Sequence, residues 1–132
     1  MARRFTIASE TEPEVLDWGR LGWLCNPPST GAKHLTVIDV TLSPGKGHNF
    51  HKHPDQEEVI VAIEGEVEQW LEGEKRMLQP GDSAFIGAGV VHASFNVTAA
   101  PIKLLAILGP CVGADGYETV DMSDKAPYNK LR

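Results

Sequence analysis

Turn signals break up the centre of this chain at short, regular intervals. Ser43-Pro44-Gly45, Glu64-Gly65-Glu66, Glu72-Gly73-Glu74, Pro80-Gly81-Asp82 and Gly87-Ala88-Gly89 bound runs of strand length, too short for most helices. The pattern predicts an all-β fold with strands over residues 35–42, 58–64, 66–71, 75–78, 84–86, 93–97 and 102–108. No amphipathic helix of ordinary length is visible, and only a short turn over residues 12–16 is expected. The run Val59-Ile60-Val61-Ala62-Ile63 is apolar on both faces. One face should line an interior while the other packs against a second sheet or a subunit.

At 132 residues the chain reads as one domain, 1–132, long enough to bury roughly two-thirds of its surface. Residues 1–34 and 110–132 lack clear periodicity and are expected to cover exposed sheet edges. A net charge of -6 argues against nucleic-acid and anionic-membrane partners, because no basic stripe is available to displace counterions from phosphates. No apolar run has the length of a signal peptide or of a membrane span, about 18 residues, so a cytoplasmic address is expected. Cys25 and Cys111 are far apart in sequence and read as small buried hydrophobes rather than as a bridge.

The chemistry concentrates in two blocks. Gly45, His51, His53, Glu58 and Gly65 form the first; Gly81, Gly87, Gly89, His92 and Asn96 form the second. Side chains alternate along a strand, so His51 and His53 point the same way and two imidazoles can grip one ion. Glu57 competes with Glu58 for the acid position. Parity and the six-residue gap to Gly65 favour Glu58, which shares a face with Ile60 and Ala62.

These blocks resemble the two motifs of the cupin family, small β-barrels that usually hold a metal in the barrel mouth. The first motif, G-x5-H-x-H-x3 or x4-E-x6-G, is matched in full by Gly45 to Gly65. The second, G-x5-P-x-G-x2-H-x3-N, is matched by Gly81 to Asn96 except that Gly87 replaces the usual proline, a change that affects only loop stiffness. The resemblance implies a double-stranded β-helix, a jelly-roll-like barrel, with His51, His53, Glu58 and His92 as metal ligands. Three imidazoles and a carboxylate suit one divalent transition metal: iron, manganese, nickel, cobalt or zinc. The alternative is that the three histidines are ordinary surface or core residues and the barrel binds nothing.

Ser94 and Asn96 follow His92 at intervals of two, as Ile60 and Ala62 follow Glu58, so all four are expected on a mostly apolar cavity wall. Phe85 is a further cavity candidate. Core packing is the expected role of Trp70 and Phe95, and it competes with the cavity role for Phe85 as well. His48 is expected at the surface, although it could reach the rim, and His34 is expected to be an ordinary histidine. The second ring nitrogen of His92 needs a partner, for which a backbone carbonyl would serve.

The ligand set resembles that of cupin dioxygenases, which implies an iron- or manganese-dependent dioxygenase acting on a small chelating organic molecule. One alternative is a metal-dependent isomerase, decarboxylase or lyase on a sugar or organic acid. Another is a non-catalytic module that binds a small ligand. Covering termini and a strand apolar on both faces are further expected to give a homodimer.

Overall fold

The computed structural model describes residues 3–132. Eleven strands run β1 (Glu14–Leu16), β2 (Gly19–Cys25), β3 (Thr36–Leu42), β4 (Gly47–Lys52), β5 (Glu57–Glu64), β6 (Val67–Leu71), β7 (Glu74–Leu78), β8 (Ser83–Ile86), β9 (His92–Phe95), β10 (Ile102–Gly109) and β11 (Val120–Asp121). One helical turn, α1 (Pro27–Thr30), is capped by the Asn26 side chain, which accepts from the Ser29 amide. Among the described residues no helix is long and apolar enough to cross a membrane.

The strands form two antiparallel sheets. One has the order β1-β2-β3-β10-β5-β8 and the other β11-β4-β9-β6-β7. Alternation dictates which side chains meet between them: β3 and β10 bury every second residue, Thr36, Ile38, Val40 and Leu42 in one and Ile102, Leu104, Ala106 and Leu108 in the other. These residues join Leu21, Ile60, Ala62, Val67, Leu78 and Ile86 in one apolar core. Each large aliphatic side chain buried there contributes about 1.5–3 kcal/mol relative to exposure.

A second cluster lies on the opposite face of the five-stranded sheet. Phe50, Trp70, Val91, Ala93 and Phe95 are covered there by Met122, Tyr128 and Leu131 from the C-terminal segment. Trp70 and Phe95 are therefore packing residues, 8% and 7% exposed. Arg132 ties the segment down: its guanidinium lies 3.8 Å from the Phe95 ring centroid, and its Nε donates to Glu68 Oε2 at 2.6 Å.

The terminal segments contribute strands that the sequence did not announce. The turn expected over residues 12–16 is instead β1, paired with β2, and a single 3-10 turn, Ala8–Glu10, precedes it. Strand β2 extends the first sheet beside β3. Its Gly19 approaches so closely that a Cβ would stand 1.9 Å from the Thr41 carbonyl oxygen. At the other end, β11 pairs with β4 and closes the second sheet on the side of the histidines.

Candidate metal centre

Three histidines gather at one mouth of the barrel. His51 comes from β4, His53 from the turn that follows it, and His92 from the first position of β9, where it pairs with His51 across the sheet. They are 4%, 3% and 1% exposed, and their ligand atoms all lie within 4.8 Å of one another. Gly89, in a left-handed conformation at φ 77°, closes the turn before His92 and donates its amide to the His53 carbonyl at 3.0 Å. Glu58 reaches the same point from β5: its Oε1 stands 3.0 Å from His92 Nε2 and 3.3 Å from His53 Nε2. Parity separates the two adjacent acids as expected, with Glu58 buried and Glu57 exposed.

Each ring is oriented by a backbone carbonyl. His51 Nδ1 lies 2.6 Å from the Asn49 oxygen, His53 Nδ1 2.8 Å from that of Glu118, and His92 Nδ1 3.0 Å from that of Val90. A carbonyl only accepts, so every Nδ1 carries the proton and every Nε2 turns a lone pair inward. Those of His53 and His92 meet a carboxylate oxygen at short range. Despite the short distances, Glu58 Oε1 and His92 Nε2 are buried without a hydrogen bond. A cation must sit among such groups, either a proton or a metal ion, because acceptors facing acceptors in a dry site repel one another.

The ionisation of the site follows from the same crowding. Burial alone would raise the Glu58 carboxyl, but the adjoining His53 and His92 rings outweigh it and hold it down at about 2. Burial, reinforced by His48, His92 and His53, pushes His51 well below its ordinary value. Three imidazoles and a carboxylate are the donor set that suits a borderline divalent ion at bonds of about 2.0–2.2 Å.

A cavity of ≈ 430 Å³, its open mouth included, lies beside the cluster. Its wall is mostly aliphatic, with Trp18 and Tyr117 as its aromatic members besides the imidazoles. Ile60 and Ser94 line it as expected, although the Ser94 hydroxyl donates to Gln69 Oε1 at 2.6 Å. The other cavity expectations are corrected. Phe85 is 61% exposed, because its parity in β8 sets it on the outer face of the sheet opposite Val59. Ala62 is fully buried in the core beyond the cavity. Asn96 is fully buried too, but it closes the β9 to β10 connection: its amide donates to the Leu42 and Ala100 carbonyls, and its Oδ1 accepts from Thr98.

Two residues of the site escape the sequence pattern. His48, expected at the surface, lines the cavity with its ring stacked between Trp18 and His51. A register shift in β4 between His48 and His51 turns both rings to the same side despite their odd spacing. Burial, with the nearby His92, lowers His48 to about 4. Gln56, 2% exposed, holds the segment that orients His53: its Nε2 donates to the Pro110 and Gly116 carbonyls and its Oε1 accepts from the Glu118 amide. Nothing in its local sequence marks it. His34 is exposed.

An antiparallel double sheet closed around an apolar interior, with histidines at one mouth, defines the double-stranded β-helix class. The family model described as Cupin domain matches residues 38–108, just over half of the chain. The chain belongs to the cupin family. It is 45% identical over 72 residues to quercetin 2,3-dioxygenase of Bacillus subtilis, covering 53% of this chain and 20% of that protein. Over 121 residues it is 28% identical to polyketide synthase CurC of Streptomyces cyaneus, covering 92% and 79%. An uncharacterized protein of Aquifex aeolicus is 39% identical over 70 residues, covering 53% and 55%. The chain thus spans only a fifth to about half of the length of the two more identical relatives. Among solved structures, KdgF from Halomonas sp. superposes with a TM-score of 0.72 at 21% identity, covering 80% of this chain and 94% of that one. An oxalate decarboxylase of Bacillus subtilis reaches 0.74 at 23% identity, covering 88% and 31%. These likenesses establish the fold.

Proposed function

We propose that the protein is a metal-dependent cupin enzyme, a dioxygenase acting on a small organic molecule that chelates through adjacent oxygens. The observation that carries this reading is the gathering of three buried imidazoles, two of whose Nε2 atoms lie 3.0 and 3.3 Å from a buried carboxylate oxygen that has no hydrogen bond. His51, His53, His92 and Glu58 would hold the ion, and iron or manganese there would supply the redox chemistry and coordinate the substrate.

The protein's own groups bind and orient. Backbone carbonyls of Asn49, Glu118 and Val90 fix the three rings before anything arrives. The wall of Leu21, Ile38, Val40, Ile60, Leu104 and Leu108 excludes water and favours an apolar body on the substrate. No lysine or arginine lines the cavity, so nothing but the cation site would attract an anionic group. That supports an aromatic or enolic chelator over a dicarboxylate. The resemblance to quercetin 2,3-dioxygenase points the same way.

A Lewis-acid isomerase, decarboxylase or lyase is the second reading, favoured by one observation: His48 places an imidazole in the cavity where a proton carrier would be needed. Elemental analysis of purified protein followed by oxygen-uptake assays on catechols and flavonols separates the two. Bound iron or manganese with uptake is expected; zinc, or no uptake on any chelator, would overturn the dioxygenase reading.

A further inference from the structure

Resting on the metal-site reading, we propose that His48 is a substrate-positioning residue, offering a hydrogen bond to a polar substituent beside the chelating oxygen pair. The substrate class narrows accordingly to planar chelators that carry a third polar group next to that pair.

Three observations carry the inference. The His48 ring lies flat on His51, with centroids 3.6 Å apart and planes 12° apart, so it borders the cluster without joining the three-histidine ligand group. Trp18 closes its other face at 4.6 Å and 14°, which leaves the ring little freedom to tilt and confines its nitrogens to directions in its own plane. Neighbouring polar side chains are already engaged within the protein. Ser94 donates to Gln69, and each cluster histidine has its Nδ1 on a carbonyl. Among the described residues His48 has no hydrogen-bond partner, yet it lines the cavity. A polar ring held rigidly and left unpaired beside an apolar wall favours a ligand that pairs it.

The same stack admits a purely structural role, in which His48 only seats His51. The two roles separate by substitution. His48→Phe keeps a flat ring between Trp18 and His51 and removes the nitrogens; His48→Asn keeps hydrogen-bonding capacity and removes the ring. Metal content and the affinities for catechol and pyrogallol, which differ by one adjacent hydroxyl, are measured on metal-loaded protein by elemental analysis and calorimetry.

In the native protein pyrogallol should bind about five- to tenfold more tightly than catechol, the worth of one hydrogen bond. His48→Phe should retain its metal and bind the two probes equally, and His48→Asn should recover part of the preference. An unchanged preference in His48→Phe overturns the proposal, as does loss of metal from that variant. Native protein that holds metal but shows no preference refutes the role of His48 alone. Native protein that binds neither metal nor probe refutes the metal-site reading along with it.

Discussion

The carbonyl oxygen of Glu118 lies 2.8 Å from His53 Nδ1, although the two residues are 65 positions apart. The contact exists because Gln56 reaches across and fixes the intervening segment at both ends, through Pro110 and Gly116 on one side and the Glu118 amide on the other. Gln56→Ala should therefore leave the cluster residues intact yet loosen the ring of His53. Metal affinity is expected to fall about 10- to 100-fold, as when other outer-sphere partners are lost. Stability should drop by about 1–3 kcal/mol as the Pro110 carbonyl and the Glu118 amide lose their partner. Competition with a chromogenic chelator measures the first and urea unfolding the second.

Protons should destabilise the metal-free protein in two steps. His48, with a folded value of about 4 against an ordinary 6.5, and His51, also depressed, bind fewer protons folded than unfolded. Their contribution is fully present above pH 6.5 and is lost as pH falls toward 4. Glu58, at about 2 against 4.5, adds a second loss below pH 4.5. Chelator-treated protein should thus lose stability progressively below pH 6.5. His48→Phe should flatten the part of the curve between pH 6.5 and 4, and urea titrations across pH 4–8 would show it.

Much of this architecture is legible in the chain. β3, β5, β6, β7, β8, β9 and β10 fall within one or two residues of the expected strands, because apolar alternation and glycine turns mark them. β2 and β4 are not so marked. In β2, Gly19 stands where an apolar residue would reveal the alternation, and it is there because the Thr41 carbonyl leaves no room for a side chain. In β4, Phe50 is the sole apolar side chain, since the strand carries His48 and His51. The register shift in β4 also defeats parity, which is why His48 reads as a surface residue. For Phe85 parity works against the cavity role, and for Asn96 the correct face carries a structural job.

The outer face of the six-stranded sheet stays uncovered within one chain. Phe85 and Ile63 are 61% and 52% exposed there, beside the half-buried Val59 and Val61. The C-terminal segment covers the corresponding face of the other sheet. A homodimer through the uncovered face is the proposal, and sedimentation should report a mass near twice that of the chain. Phe85→Glu should shift the protein to monomer with its fold intact by circular dichroism. A native monomer would refute the dimer.

Two buried polar residues should answer substitution in opposite ways. Asn96, at 0% exposure, is bonded through both its amide nitrogen and its carbonyl oxygen, so Asn96→Leu takes a donor from the Leu42 carbonyl and the acceptor from the Thr98 amide and should cost about 1–3 kcal/mol whether or not metal is present. Glu58 is 5% exposed and its Oε1 has no hydrogen bond. Desolvating such a carboxylate offsets much of what its partners return, so an aliphatic replacement is often neutral or stabilising. Glu58→Leu should therefore leave the metal-free protein at least as stable as the native one at pH 7 while abolishing the rise in Tm on adding iron(II) or manganese(II). Thermal melts with and without chelator decide it. If Glu58→Leu lowers the metal-free Tm as much as Asn96→Leu does, the carboxylate is a structural group and the metal-centre assignment loses its main physical support.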